Sequence, residues 1–290
     1  VVEKSNVTPR QIAHFMVGRE LNWESPPQKA DASSVPPVLT VKNLYRRWPN
    51  HPRQWKLRDV SFEARPGEIV GFAGLMGAGR TELFECLFGQ SEDDFHGDVR
   101  VNGRAVRFHH PAEAIEAGVA MVTEDRKRLG LFSNLCVAAN ISLNSLSRDS
   151  RVSGLISGTS ERQRCQSIVD QLRVKTDGLT AAIGSLSGGN QQKCVIGRSL
   201  LTEPRVLLLD DPTRGVDVGA KSEIYRLIRD LANKGLAVLM ASSELPELLH
   251  LCDRIIVLSE GVMTAEFSAR DATEQNIMEA ATLNQKFASV

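Results

Sequence analysis

Short runs of apolar residues recur along this chain, and each gives way to glycine, a small polar residue or an acid. They are Ile69-Val70-Gly71-Phe72, Gly118-Val119-Ala120-Met121-Val122, Val206-Leu207-Leu208-Leu209, Leu236 to Ala241 and Ile255-Ile256-Val257-Leu258. Runs of this length without alternation predict strands buried on both faces. Between them apolar residues fall at helical spacing: Leu83, Phe84 and Leu87; Cys165, Ile168, Val169 and Leu172; Ile224, Leu227, Ile228 and Leu231. Short helices are also expected over Ala112–Ala117 and Pro246–Leu251. Strand alternating with helix predicts a parallel sheet covered on both sides, an α/β fold.

A second pattern flanks the first. Val38–Val41 and Leu57–Phe62 alternate apolar with polar, as half-buried strands do. Val99 to Val106 contains Asn102-Gly103, the dipeptide of a type I′ hairpin. Antiparallel strands are therefore expected on both sides of the Ile69 strand. Thr123 to Gly130 reads as a polar, charged loop. Residues 133–175 are mostly helical in pattern, interrupted by Ser and Gly around Ser147–Gly158.

The two ends differ from the middle. Residues 1–24 read as a short helical tail with Pro9 at a first helical position, and 25–37, rich in Pro, Ser and Ala, read as a linker. Thr8-Pro9-Arg10-Gln11-Ile12 echoes Thr273-Glu274-Gln275-Asn276-Ile277, either by chance or because both are short amphipathic closing helices of a repeated unit. The first residue is Val1 rather than methionine, which points to a piece of something longer.

Composition narrows the function classes. The 290 residues carry 35 basic and 35 acidic side chains, and no basic stripe, which argues against a nucleic-acid partner. No apolar run is long enough for a transmembrane segment. Cys86, Cys136, Cys165, Cys194 and Cys252 are scattered and odd in number, the usage of reduced thiols in a cytosolic protein.

The candidate chemistry begins where the first buried strand ends. Gly74-Leu75-Met76-Gly77-Ala78-Gly79-Arg80-Thr81-Glu82 has the spacing of a phosphate-binding loop, G-x-x-x-x-G-K-[ST], with Arg80 in the lysine position. Gly74, Gly77 and Gly79 permit positive φ, so backbone N–H groups converge on a phosphate. The helix that follows adds its own free N–H groups, and Thr81 a hydroxyl for Mg²⁺. Further on, Leu186-Ser187-Gly188-Gly189-Asn190 opens a helical run, a second place where N–H groups meet an anion. Asp210-Asp211 then closes an apolar strand, the acid such proteins use to hold Mg²⁺.

In this order and spacing, these motifs resemble the ATP-binding subunits of ABC transporters, and specifically the second of two tandem nucleotide-binding domains in sugar importers of the ribose, galactose and xylose type. Glu124 to Lys127, Pro212 to Lys221 and Ser242 to Pro246 carry the resemblance as well, which runs from about Val38 to Gly261. Residues 1–24 resemble the closing helix of a preceding domain, leaving 38–290 as the nucleotide-binding domain. The resemblance implies a P-loop core with an antiparallel β subdomain and a helical subdomain near residues 130–195. It implies ATP and Mg²⁺ as ligands, with Thr81, Asp210 and Glu124 toward the metal. Two domains are expected to meet head to tail, each signature (here Ser187, Gly188, Gly189 and Asn190) completing the neighbour's site. The implied partners are an N-terminal domain of the same polypeptide and membrane permease subunits, so the chain is placed in the cytoplasm, peripheral on the inner face of the membrane. The loop Asp125 to Arg128 either faces the permease or is a solvated charged loop. Tyr45, Trp48 and Trp55 are the candidates for adenine stacking.

Departures from the family pattern fall on the chemistry. Arg80 replaces a lysine, a planar fork for a compact ammonium. Glu124 stands for the glutamine that reaches metal and attacking water. Asp211 stands for the general-base glutamate, retracting the carboxylate by about 1–1.5 Å, and a misplacement of about 1 Å costs around a hundredfold in rate. Ser243 stands for the switch histidine, and His250 is expected on the polar side of its helix. Asp211, Ser243 and Glu124 are thus the catalytic positions of a site expected to bind ATP and turn it over slowly or not at all. The rival readings are a non-hydrolysing regulatory ATP-binding module and an ABC ATPase of DNA repair or translation.

Overall fold

The computed structural model describes residues 35–48, 51–91, 95–146 and 157–283. The expected helical tail, most of the expected linker and most of the Ser/Gly interruption expected before Gly158 lie outside them. Among the described residues there are two sheets. The first is antiparallel, in the order β2 (His51–Ala64), β1 (Leu39–Trp48), β4 (Phe95–Val101), β5 (Arg104–Val106). The second has the order β10 (Val262–Ser268), β9 (Arg254–Ser259), β3 (Ile69–Ala73), β8 (Ala237–Ala241), β7 (Val206–Asp210), β6 (Val119–Val122). Its pairings from β9 to β6 are parallel, and β10 closes one edge antiparallel to β9.

The parallel strands sort their side chains by the two-residue period. Val70 and Phe72, Val206 and Leu208, and Ala237 and Leu239 face one core with the antiparallel sheet and α1 (Arg80–Phe88). Ile69 and Ala73, Leu207 and Leu209, and Val238 and Met240 face a second core. That core is completed by α5 (Gly188–Leu200), α6 (Val218–Asn233), α7 (Leu245–Leu251) and α8 (Glu274–Ala281). Phe72 joins the sheets, its ring edge-on to Phe62 at 5.2 Å and to Phe84 at 5.6 Å. Burying such a side chain contributes about 1.5–3 kcal/mol. A third core joins α3 (Val137–Ser142) and α4 (Gly158–Gln171) to α5. A further helix, α2 (Pro111–Glu116), precedes β6. Among the described residues, no helix is long and apolar enough to cross a membrane.

The hairpin forms as expected, with Asn102 at φ 51° and Gly103 at φ 76°. β1 and β2 run further than the alternation suggests, because register shifts after Val41 and Leu44 scramble the pattern. Arg46 also breaks it: this buried cation reaches Glu85 Oε2 at 2.6 Å on α1. The polar loop is corrected in part. Arg126–Gly130 wind into a π-type turn, because Asp125 Oδ1 accepts from the N–H groups of Lys127 and Arg128, both at 3.1 Å. His250 is half-buried, 5.8 Å from the Tyr225 ring, on the less buried side of its helix with Pro246 and Leu249. All five cysteines are free thiols, and no metal-binding group of His, Cys, Asp and Glu occurs among the described residues.

Candidate functional site

Parallel neighbours present their C-terminal ends at one edge, where ligands of open α/β sheets bind. Here the order β3, β8, β7, β6 places four loops side by side: Gly74–Thr81 after β3, Ser242–Ser243 after β8, Asp210–Asp211 closing β7, and Glu124 after β6. Distant segments of sequence thereby share one cleft of about 430 Å³, with Asp210 buried behind its lining. Gly74 to Glu82 form its floor; Glu124, Asp211, Arg214, Ser242 and Ser243 form one wall; Leu245 with Ile277, Met278 and Ala281 of α8 form another.

The glycine spacing does what the sequence predicts. Gly74, Gly77 and Gly79 have φ of 156°, 79° and 102°. At Gly79 there is a second constraint, since a Cβ would stand 3.0 Å from the Lys56 carbonyl oxygen and Leu57 Cδ2. Gly79 caps α1, no side chain bonds to that cap, and the leading N–H groups of the helix are left for an anion. Met76, at the tip, is 99% exposed.

Two side chains at the start of α1 reach across the sheet. Arg80 Nη1 donates to the Ser242 carbonyl at the end of β8. Thr81 Oγ1 donates to Asp210 Oδ2 at 2.9 Å, at the end of β7. Burial pushes the Asp210 carboxyl up to about 6; the Thr81 hydrogen bond opposes that shift and the Asp211 charge adds to it.

The catalytic candidates are engaged as well. Asp211 Oδ1 accepts from Ser243 N at 2.6 Å and Ser243 Oγ at 2.9 Å, with Asp211 itself at φ 42°. Glu124 is ion-paired with Arg214. Beneath them, buried Glu247 accepts from Thr213 Oγ1, Tyr225 OH at 2.7 Å, Ser242 Oγ at 2.8 Å and Lys221 Nζ at 3.0 Å. One carboxylate thus fixes the turns that carry Asp211 and Ser243. The cleft suits a polyphosphate with a divalent ion: a glycine cradle, an uncapped helix start, and a hydroxyl paired with a carboxylate.

The second motif lies outside this cleft. Ser187 caps α5 with extended backbone, and its Oγ accepts from Asn190 Nδ2 at 2.9 Å. Asn190 Oδ1 in turn accepts from the Lys175 N–H at 2.9 Å. None of Tyr45, Trp48 and Trp55 lines the cleft. Tyr45 and Trp55 meet edge-on at 5.4 Å, while Lys56 Nζ lies 5.0 Å over Trp48.

Sequence reading missed the α8 wall, the Ser242 carbonyl and Arg214. The first two carry no chemical signature, a main-chain oxygen being common to all residues. Arg214 could have been suspected as the cation closest in sequence to Asp210-Asp211.

Comparison with known proteins places this geometry. The sequence pattern of the ABC transporter family matches residues 57–214. A xylose import ATP-binding protein of Moorella thermoacetica is 43% identical over 281 residues, covering 97% of this chain and 55% of that protein. A ribose import ATP-binding protein of Rhodopirellula baltica is 45% identical over 270 residues, covering 93% and 52%. The chain thus spans about half the length of these relatives. Among solved structures, a nucleotide-free ATP-binding cassette from an ABC transporter superposes with a TM-score of 0.70 at 21% identity, covering 84% of this chain and 96% of that one. The ADP conformation of another such cassette gives 0.70 at 20% identity, covering 88% and 100%. With the cleft, the glycine loop and the acid-tipped strand on one sheet edge, the chain belongs to the ABC transporter family, as an ATP-binding domain homologous to sugar-import ATP-binding proteins.

Proposed function

We propose that this chain is the C-terminal half of the ATP-binding component of a carbohydrate importer. Its own cleft holds MgATP with little turnover, while its Ser187–Asn190 motif completes the hydrolytic site of a preceding domain. Gly74 to Thr81 would wrap the phosphates; Thr81, Asp210 and Glu124 would hold Mg²⁺, whose charge neutralises the phosphate oxygens. The two halves would meet head to tail and drive permease subunits from the cytoplasmic face of the membrane. The names of the relatives, and their twofold greater length, support the importer and the missing half.

The observation that carries the low-turnover reading is the state of the catalytic candidates. Asp211 already accepts two hydrogen bonds from Ser243, Arg80 is tied to a main-chain carbonyl, and Glu124 is ion-paired with Arg214. A general base needs a free lone pair within hydrogen-bond reach of the water it activates. The shortened Asp211 offers its second oxygen from a retracted position.

The test is an asymmetry in the polypeptide that carries both halves. Ser187→Arg abolishes steady-state hydrolysis, whereas Asp211→Asn leaves most of it. Equal losses from the two substitutions refute the division of labour.

A further inference from the structure

Arg126 is 7% exposed, and its guanidinium ties its own loop to one turn far along the chain. Nη1 donates to the Arg214 carbonyl at 2.9 Å and Nη2 to the Gly215 carbonyl at 3.0 Å. The same Nη2 lies where a third segment begins, for a Cβ on Gly188 would stand 2.6 Å from it. Gly188 is the first residue of α5, immediately after Ser187. Next to it, a Cβ on Gly189 would stand 2.4 Å from Ala220 Cβ on α6. The two glycines therefore have an internal reason beside their bare N–H groups: one admits the Arg126 guanidinium, the other the flank of α6.

We infer that Arg126 is a positioning residue that locks the Glu124 loop, the Arg214–Gly215 turn and the Ser187 end of α5 into one body. The Glu124–Arg214 ion pair lies one step away on the same two loops, so the connection is double. Lysine does not replace this arrangement, because a single ammonium lacks the fork that reaches two successive carbonyls. A shift at the Glu124 loop is then carried to the Ser187 motif without passing through the phosphate-binding loop. The inference deepens the proposed function, since it rests on that reading for what the Ser187 motif serves.

Hydrogen exchange tests the linkage in this chain alone. The Arg214 and Val216 amides are held by turn bonds to Asp211 O and Thr213 O, and the Gln191 amide by the first helical bond to Ser187 O. In Arg126→Gln both groups exchange faster by about tenfold or more, since both charge-assisted hydrogen bonds of the guanidinium are lost, while the Leu83 amide on Gly79 O keeps its rate. Arg126→Lys gives an intermediate rise, and it carries the comparison should the glutamine variant not fold. A rise at 214–216 without one at 191, or a uniform rise that includes Leu83, overturns the linkage. In the two-half polypeptide, Arg126→Gln lowers kcat severalfold with KM for ATP unchanged. Coupled exchange with unaltered kcat leaves the linkage standing and refutes the role proposed for the Ser187 motif.

Discussion

Asp211 and Ser243 form a closed pair: one carboxylate oxygen of Asp211 accepts both the main-chain N–H and the hydroxyl of Ser243. The pair sits where the ends of β7 and β8 meet, and the Asp211 N–H is itself bonded to the Ala241 carbonyl at 2.9 Å. Asp211 also holds φ at 42°, a region that asparagine tolerates and alanine does not. Asp211→Asn is therefore expected to keep stability within about 0.5 kcal/mol, and Asp211→Ala to lose about 1–2 kcal/mol. Urea unfolding distinguishes the two, and turnover by the chain alone changes little in the asparagine variant.

Arg80→Lys exchanges a fork held by the Ser242 carbonyl for a mobile ammonium. It is expected to tighten MgATP binding by about tenfold, the scale of one charge-assisted contact. Calorimetric titration measures it. Unchanged or weaker binding would mean that Arg80 leaves Ser242 and serves the phosphates itself.

The legibility of this site in the sequence divides along the same line. Gly74–Thr81 was readable because each glycine answers a backbone need, and Asp210 because an acid closes an otherwise apolar strand. The juxtaposition of Arg80 with Ser242 was not, since it depends on β8 lying between β3 and β7 in a sheet whose order the chain does not spell out. Arg126 was hidden for a different reason. A cation amid Asp125, Lys127 and Arg128 reads as solvated, and only its carbonyl partners on the 214–215 turn account for its burial. The strands facing two cores were legible from unbroken apolar runs, whereas β1 and β2 were blurred by bulges and by buried Arg46.

Asp210 gives a pH dependence with a definite sign. Its folded-state pKa of about 6 lies above the unfolded value near 4. The folded chain therefore holds more proton between those values, and this group costs stability as pH rises through that window. Asp210→Asn is expected to raise the melting temperature relative to wild type more at pH 7.5 than at pH 4.5, by roughly a few degrees. Mg²⁺-dependent nucleotide binding runs the other way, strengthening as pH passes about 6, because the metal requires the carboxylate.

Glu247 behaves oppositely. Burial alone would raise its carboxyl, but hydrogen bonds from Thr213, Tyr225, Ser242 and Lys221 outweigh that and hold it below the ordinary range. Its contribution is present above the unfolded value near 4 and is lost as pH falls. Glu247→Gln leaves Lys221 with the more exposed Glu244 as its remaining ion-pair partner and costs about 3 kcal/mol in urea unfolding. A loss below about 0.5 kcal/mol would remove Glu247 as the support of the Asp211 and Ser243 turns.

Gly77 and Gly79 separate conformation from contact. Both have positive φ, but only at Gly79 would a Cβ press on Lys56 and Leu57. Alanine at position 77 costs about 1 kcal/mol, and at 79 about twice that or more, by denaturant midpoints.

The most direct measurement is a titration of MgATP into this chain with inorganic phosphate followed in the same cell. One saturable site, lost in Thr81→Ala and accompanied by scarcely any phosphate release, is the predicted result. Rapid Mg²⁺-dependent release that disappears in Asp211→Asn, or no saturable binding at all, would contradict a nucleotide held in this cleft without turnover.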